Sequence, residues 1–177
     1  GKHFLQLFDV ILVCIKHCTV DSNESSHHRN TLDFLISSAS RFCHCCVSQN
    51  APMQIASKEM IAAALLHDVV EDTDVTLDEV RQEFADAVAN LVDDLTDVSK
   101  PEDGNRAFRK AMDRDHTAQA SAAAMVIKAA DLISNTKSIT EHDPNFAKVY
   151  LKEKRALLDV MFKIKHMDIW KEADSML

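Results

Sequence analysis

The stretch from Ile61 to Thr73, IAAALLHDVVEDT, sets His67, Asp68, Glu71 and Asp72 inside an otherwise apolar run. At about 100° per residue, Ile61, Ala64, Leu65, Asp68 and Asp72 share one side of a helix, with His67 and Glu71 beside them. A helix that is apolar on most of its surface belongs at the centre of a bundle, so its acids are expected to be partly buried. Buried carboxylates are costly unless paired, so a metal ion or basic side chains must face them. A metal accounts best for the mixed His and Asp set. His67 and Asp68 diverge by about 100° but can still converge on a cation lying between them. Glu71 and Asp72, one turn later, are placed to handle a metal-bound water or a leaving group. Imidazole and carboxylate ligands without a committed thiolate suit a borderline-hard ion such as Mn²⁺, with Zn²⁺, Fe²⁺ and Mg²⁺ as alternatives.

A second polar stripe lies in VIKAADLISNT, Val126 to Thr136, where Lys128, Asp131 and Asn135 share a helix face. Asp131 is the matching ligand expected from across the bundle. Lys100, Arg106, Arg109, Lys110, Arg114 and His116 form the densest basic run in the chain. They could line a path for phosphate, or form a solvated helix face with pairs such as Arg109 to Asp113. Arg106, Arg109 and Arg114 cannot all point the same way.

Around these residues the pattern reads as helices throughout. With 2 glycines, 3 prolines and 6% aromatic residues, the 177-residue chain lacks the turn and strand composition of an all-β fold. An apolar helix is expected from about His3 to Val20 and a polar loop from Asp21 to Asn30, followed by an irregular segment from Thr31 to Cys46. Ser57 caps a helix from Lys58 to about Glu71, and Thr76 with Glu79 forms a capping box for another through Phe84. Asp86 caps a helix through Val98, Ser99 to Gly104 is a break, and Asn105 to Gln119 is helical. Ser121 caps a helix to about Ile139, Asp143-Pro144 starts one reaching about Lys165, and Asp168 opens a short last one. No repeat or Pro/Gly/Ser-rich linker divides the chain, so residues 1–177 are read as one all-α domain.

A net charge of -8 excludes a general nucleic-acid or membrane-surface binder, since both need a basic face, but leaves room for a small phosphorylated ligand. The five cysteines are Cys14, Cys18, Cys43, Cys45 and Cys46. Their odd number and crowding do not match a secreted disulfide framework and point to a reducing cytoplasm. Buried unpaired thiols are a better reading of them than a zinc site. Phe4 to Ile15 contains Gln6 and Asp9 and is too short to span a bilayer, so it is read as a buried helix.

Taken together, HDVVEDT, TLDEV, LVDDLTD and KAADLISNT resemble the HD-type hydrolase domain of the RelA/SpoT family, most closely its small stand-alone alarmone hydrolases. The resemblance runs from Ser57 to about Lys154. It implies an all-helical HD-domain bundle with a motif-bearing core at 57–154, divergent helices at 1–56 and C-terminal helices at 155–177. It also implies Mn²⁺-dependent removal of the 3′-pyrophosphate from guanosine tetra- or pentaphosphate. By this resemblance His67, Asp68 and Asp131 are metal ligands and Glu71 and Asp72 are the catalytic acids. Asn135 and Lys128 then act on the substrate side, with Arg106, Arg109, Lys110 and Arg114 as candidates to bind its phosphates. A guanine nucleotide is the expected partner, with no DNA, RNA or membrane, and homo-oligomerisation is left open.

The family has a further histidine about 24 residues before the HD pair, usually in Pro-Tyr-x-x-His-Pro. His44 is the nearest match and the expected fourth metal ligand, one residue short and without those neighbours. His28-Arg29-Asn30 is similar to the family's His-x-x-Gln segment, but the basic pair expected next is replaced by Thr31-Leu32-Asp33-Phe34. Ala85 stands where relatives often carry glycine with positive φ, a substitution worth about 1 kcal/mol if that geometry persists. Two other readings remain: another HD phosphohydrolase, such as a nucleotidase or NADPH phosphatase, and an inactive nucleotide- or partner-binding HD domain.

Overall fold

The computed structural model describes residues 57–177. The expected elements from His3 to Cys46, the five cysteines and His44 lie outside the described residues. The described residues are helical with no strand. In order they are α1 (Lys58–Leu66), α2 (Val69–Asp72), α3 (Leu77–Leu95), α4 (Arg106–Gln119), α5 (Ala122–His142), α6 (Pro144–Val160) and α7 (Asp168–Ser175). Short 3₁₀ turns at Pro101–Asp103 and Phe162–Ile164 precede α4 and follow α6. The core gathers around α5, which packs against α1, α3, α6 and α7.

The helix starts follow from local chemistry. The side chains of Ser57, Asn105, Ser121 and Asp143 accept from the amides of Met60, Phe108, Ala124 and Phe146, which would otherwise lack partners. Thr76 and Glu79 close the expected capping box. On α1 five successive residues, Ala62 to Leu66, are buried. Three of them are alanines, whose small side chains let α3 and α5 approach closely. Replacing the fully buried Ala63 with leucine would overpack this contact and cost about 1–3 kcal/mol.

Three helices end earlier than in the sequence reading. The helix expected to run unbroken to Glu71 stops at Leu66, and α2 restarts at Val69. Between them Asp68 opens out to φ -99°, ψ -1°, so the HD pair sits in a turn rather than mid-helix. The helix expected to reach Val98 ends at Leu95, where Thr96 returns both its amide and its hydroxyl to the Val92 carbonyl. The helix expected to reach about Lys165 ends at Val160 and is followed by the 3₁₀ turn.

The break between Phe84 and Asp86 is present as a kink within α3, and Ala85 occupies it at φ 71°, ψ 166°. That region is left-handed and belongs almost wholly to glycine. The positive-φ geometry persists here without the residue that best tolerates it.

Candidate active site

The turn at residues 67–68 aims two neighbouring side chains at one point. His67 donates from Nδ1 to the Ala64 carbonyl, 2.9 Å away, which fixes the ring and turns Nε2 outward. Nε2 lies 2.9 Å from Asp68 Oδ2 and 3.8 Å from Asp131 Oδ1. Asp131 comes from the middle of α5, so two separate helical segments meet over the imidazole. Asn135, one turn along α5, donates Nδ2 to Asp131 Oδ2 at 3.0 Å and orients that carboxylate.

The electrostatics follow from this enclosure. Burial disfavours the charged His67 ring, but the Asp68 hydrogen bond and the charges of Asp68 and Asp131 outweigh it and raise its pKa. Burial pushes the Asp131 carboxyl up, with His67 and Lys128 opposing.

Among the described residues no three His, Cys, Asp or Glu side chains are already spaced as a metal cage. The ring and the carboxylates are instead paired with one another. The donor set nonetheless fits a divalent ion: a nitrogen lone pair whose tautomer is set by the Nδ1 bond, with two carboxylates facing it.

Glu71 stands at the edge of this group, on α2. It is more exposed than the sequence reading anticipated, and so is Asp72. The amide of Asp97 donates to Glu71 Oε1 at 2.6 Å. Desolvation of the Glu71 carboxyl raises its pKa; the Asp97 amide opposes that shift, while the Asp97 charge adds to it.

Beside Glu71 opens a cleft of about 200 Å³ lined by Glu71, Asp97, Ser99, Arg106, Arg109 and Lys110. The α4 basic run therefore divides. Arg106, Arg109 and Lys110 reach the cleft; Arg114, further along the helix, pairs with Asp115 at 3.4 Å and is not among the lining residues. Arg106 is held by Glu153 through two hydrogen bonds, at 2.7 and 2.8 Å. Arg109 is not paired with Asp113 as expected, and its buried Nε has no hydrogen-bond partner among the described residues. An arginine with no ion-pair partner among the described residues, on the wall of an anion-sized cleft, suits a phosphate.

Lys128 does not point into the cleft. Its Nζ donates to the Leu95 carbonyl at 3.1 Å and lies 3.6 Å from Asp97 Oδ1, joining α5 to the end of α3. Three groups went unassigned in the sequence. Asp97 had been visible only as the last residue of LVDDLTD. Asp113 had figured only as a surface partner for Arg109, yet it is buried. Tyr150, whose hydroxyl approaches the Leu132 carbonyl at 3.4 Å, is pushed up to about 12 by burial. Its placement against α5 has no signature in the linear pattern.

Helices that present an adjacent His–Asp pair to a second carboxylate define the class of helical HD domains. The HD domain family matches residues 35–157. The chain belongs to that family. It is 36% identical over 90 residues to the Drosophila melanogaster guanosine-3′,5′-bis(diphosphate) 3′-pyrophosphohydrolase MESH1, covering 51% of this chain and 49% of that protein. Its identity to the Homo sapiens MESH1 is 38% over 88 residues, covering 48% and 46% of the two chains. A probable GTP pyrophosphokinase of Mycobacterium leprae matches at 34% over 107 residues, 60% of this chain and 13% of that one. The match spans about half the length of the MESH1 relatives.

A solved structure described as a metazoan ortholog of SpoT that hydrolyzes ppGpp superposes with a TM-score of 0.67 at 21% identity. It covers 94% of this chain and 93% of that one, which establishes the fold. Among the described residues no helix is long and apolar enough to cross a membrane.

Proposed function

We propose that this chain is a divalent-metal phosphohydrolase that releases pyrophosphate from the 3′ position of guanosine tetra- or pentaphosphate, with Mn²⁺ as its ion. The observation that carries the reading is the convergence of Asp68 and Asp131 on His67 Nε2 beside the Arg109-lined cleft. The names of the relatives supply the substrate. On this reading residues 1–177 form one HD domain that works in the cytoplasm, and His44 completes the ligand set.

An ion held by His67, Asp68 and Asp131 supplies Lewis acidity toward a phosphoryl oxygen and lowers the pKa of water. The chain's own groups do the rest. Arg109 and Arg106 bind the pyrophosphate oxygens and hold the phosphorus in line. Glu71 has one oxygen fixed by the Asp97 amide, which leaves Oε2 to take the proton from the attacking water. A P–O bond forms to that water as the bond to the 3′ oxygen breaks, and the 3′ oxygen gains a proton, the step that the resemblance assigns to Asp72. Asn135 keeps Asp131 in its binding orientation.

The test is product analysis after incubation with Mn²⁺ and guanosine tetraphosphate, and separately with NADPH. Free pyrophosphate and guanosine diphosphate support the reading. Orthophosphate from NADPH alone would assign the site to a phosphatase instead, and tight substrate binding without cleavage would assign it to a binding domain.

A further inference from the structure

We propose that Asp113 is a positioning residue that sets the Glu71 carboxylate through Asp97; the role rests on the hydrolytic reading above. Asp113 lies on α4 and is only 5% exposed, yet its side chain receives three hydrogen bonds. The Ser99 amide donates to Oδ1 at 3.0 Å, the Ser99 hydroxyl to Oδ2 at 3.0 Å, and Lys110 Nζ to Oδ2 at 3.2 Å. Lys110 Nζ also donates to Asp97 Oδ2 at 2.7 Å. The amide of that same Asp97 then donates to Glu71 Oε1.

The chain of contacts matters because of where Asp97 sits. Helix α3 has ended at Leu95, so no helical register fixes the direction of the Asp97 amide. Besides Lys128, whose Nζ lies 3.6 Å from Asp97 Oδ1, two anchors to α4 fix it instead. Ser99, two residues on, is tied to α4 through both its backbone and its hydroxyl, and the Asp97 side chain is tied to Lys110. The Ser99 anchor is made by the buried carboxylate of Asp113, which also holds the Lys110 ammonium of the other anchor at 3.2 Å. A buried carboxylate is retained only where its donors are in place, so the clamp is rigid.

This geometry predicts a separation that a merely structural residue would not give. Asp113 also neutralises part of the Lys110 charge, so removing its own charge leaves the cleft more cationic. Anion binding should hold or tighten while the placement of Glu71 is lost.

The experiment compares wild type with Asp113→Asn in steady-state hydrolysis of guanosine tetraphosphate with Mn²⁺, and titrates inorganic pyrophosphate calorimetrically against both. The expected result is a kcat lower by about tenfold, with KM and the pyrophosphate Kd unchanged or lower. A kcat within about twofold of wild type, or a KM that rises as kcat falls, overturns the positioning role. If Asp113→Asn does not fold, Ser99→Ala decides. It removes one donor, and about threefold in kcat at constant KM is expected, whereas unchanged kcat overturns the proposal. A wild-type protein that cleaves no guanosine tetraphosphate in the same assay sinks the hydrolytic reading itself, a different result from either failure of the clamp.

Discussion

Replacing Lys154 with methionine should stabilise this protein near neutral pH and remove a distinct alkaline rise in its stability. Lys154 sits on α6 with 1% of its surface exposed, and its Nζ donates to Thr136 Oγ1 at 2.9 Å. Burial lowers its pKa from 10.5 to about 8, with the Asp174 charge opposing and Arg155 adding to the effect. The native state therefore binds this proton more weakly than the unfolded chain does. Between pH 8 and 10.5 the unfolded chain holds the proton and the native state releases it, so stability rises with pH across that window. The full rise is about 3 kcal/mol, and below pH 8 the same amount is lost to keeping a buried ammonium.

Methionine fills a similar volume without charge. Thr136 keeps its own hydrogen bond to the Leu132 carbonyl, so losing the lysine costs only about 1 kcal/mol there. The net gain at pH 7 is about 2 kcal/mol, equivalent to roughly 4–8 °C in Tm for a chain of this size. Urea unfolding of both proteins at pH 7 and pH 10 measures it. The advantage of Lys154→Met should shrink as pH rises. A variant less stable than wild type at pH 7, or a difference that does not change with pH, would refute the reasoning.

Ala85→Gly should raise stability by about 1 kcal/mol, because glycine adopts φ 71° without a Cβ clash; calorimetric melting checks it. Arg109→Ala should raise the KM for guanosine tetraphosphate by about tenfold or more, since it removes an unpaired guanidinium from the cleft wall, while Arg114→Ala should stay within about twofold. Glu71→Gln should keep its bound metal and lose kcat by about 100-fold, measured by metal analysis alongside turnover, because it changes the proton acceptor and not the ligands.

The helix caps were legible because a cap is local: Ser57, Thr76 with Glu79, Ser121 and Asp143 each bond an amide within three residues. The pairing of His67 and Asp68 with Asp131 was legible for another reason. Polar residues on apolar helices must find partners, and these were the ones available. The turn at 67–68 was not legible, since Leu65 to Val70 carries no glycine or proline, and Asp68, the N-cap of α2, makes no capping hydrogen bond. It is set by the contacts of the surrounding bundle, and it is what lets adjacent side chains meet at 2.9 Å.

The sorting of the α4 basic run also depended on tertiary contacts. Glu153 claims Arg106 from 47 residues away, and Asp113 turns inward to Ser99 rather than outward to Arg109. Helical spacing alone gives each side chain a direction but not the element waiting there. Ala85 is the converse case, where the glycine common in relatives anticipated strain and the backbone carries it.

The most direct measurement is a titration of metal-stripped protein with Mn²⁺, followed by the signal of free Mn²⁺, for wild type and for Asp131→Ala. One ion per chain in the wild type, with affinity at least about 100-fold weaker in the variant, is expected if α5 and the 67–68 turn grip the same cation. Equal affinity in the two proteins, or full hydrolysis by the metal-stripped wild type, would contradict it.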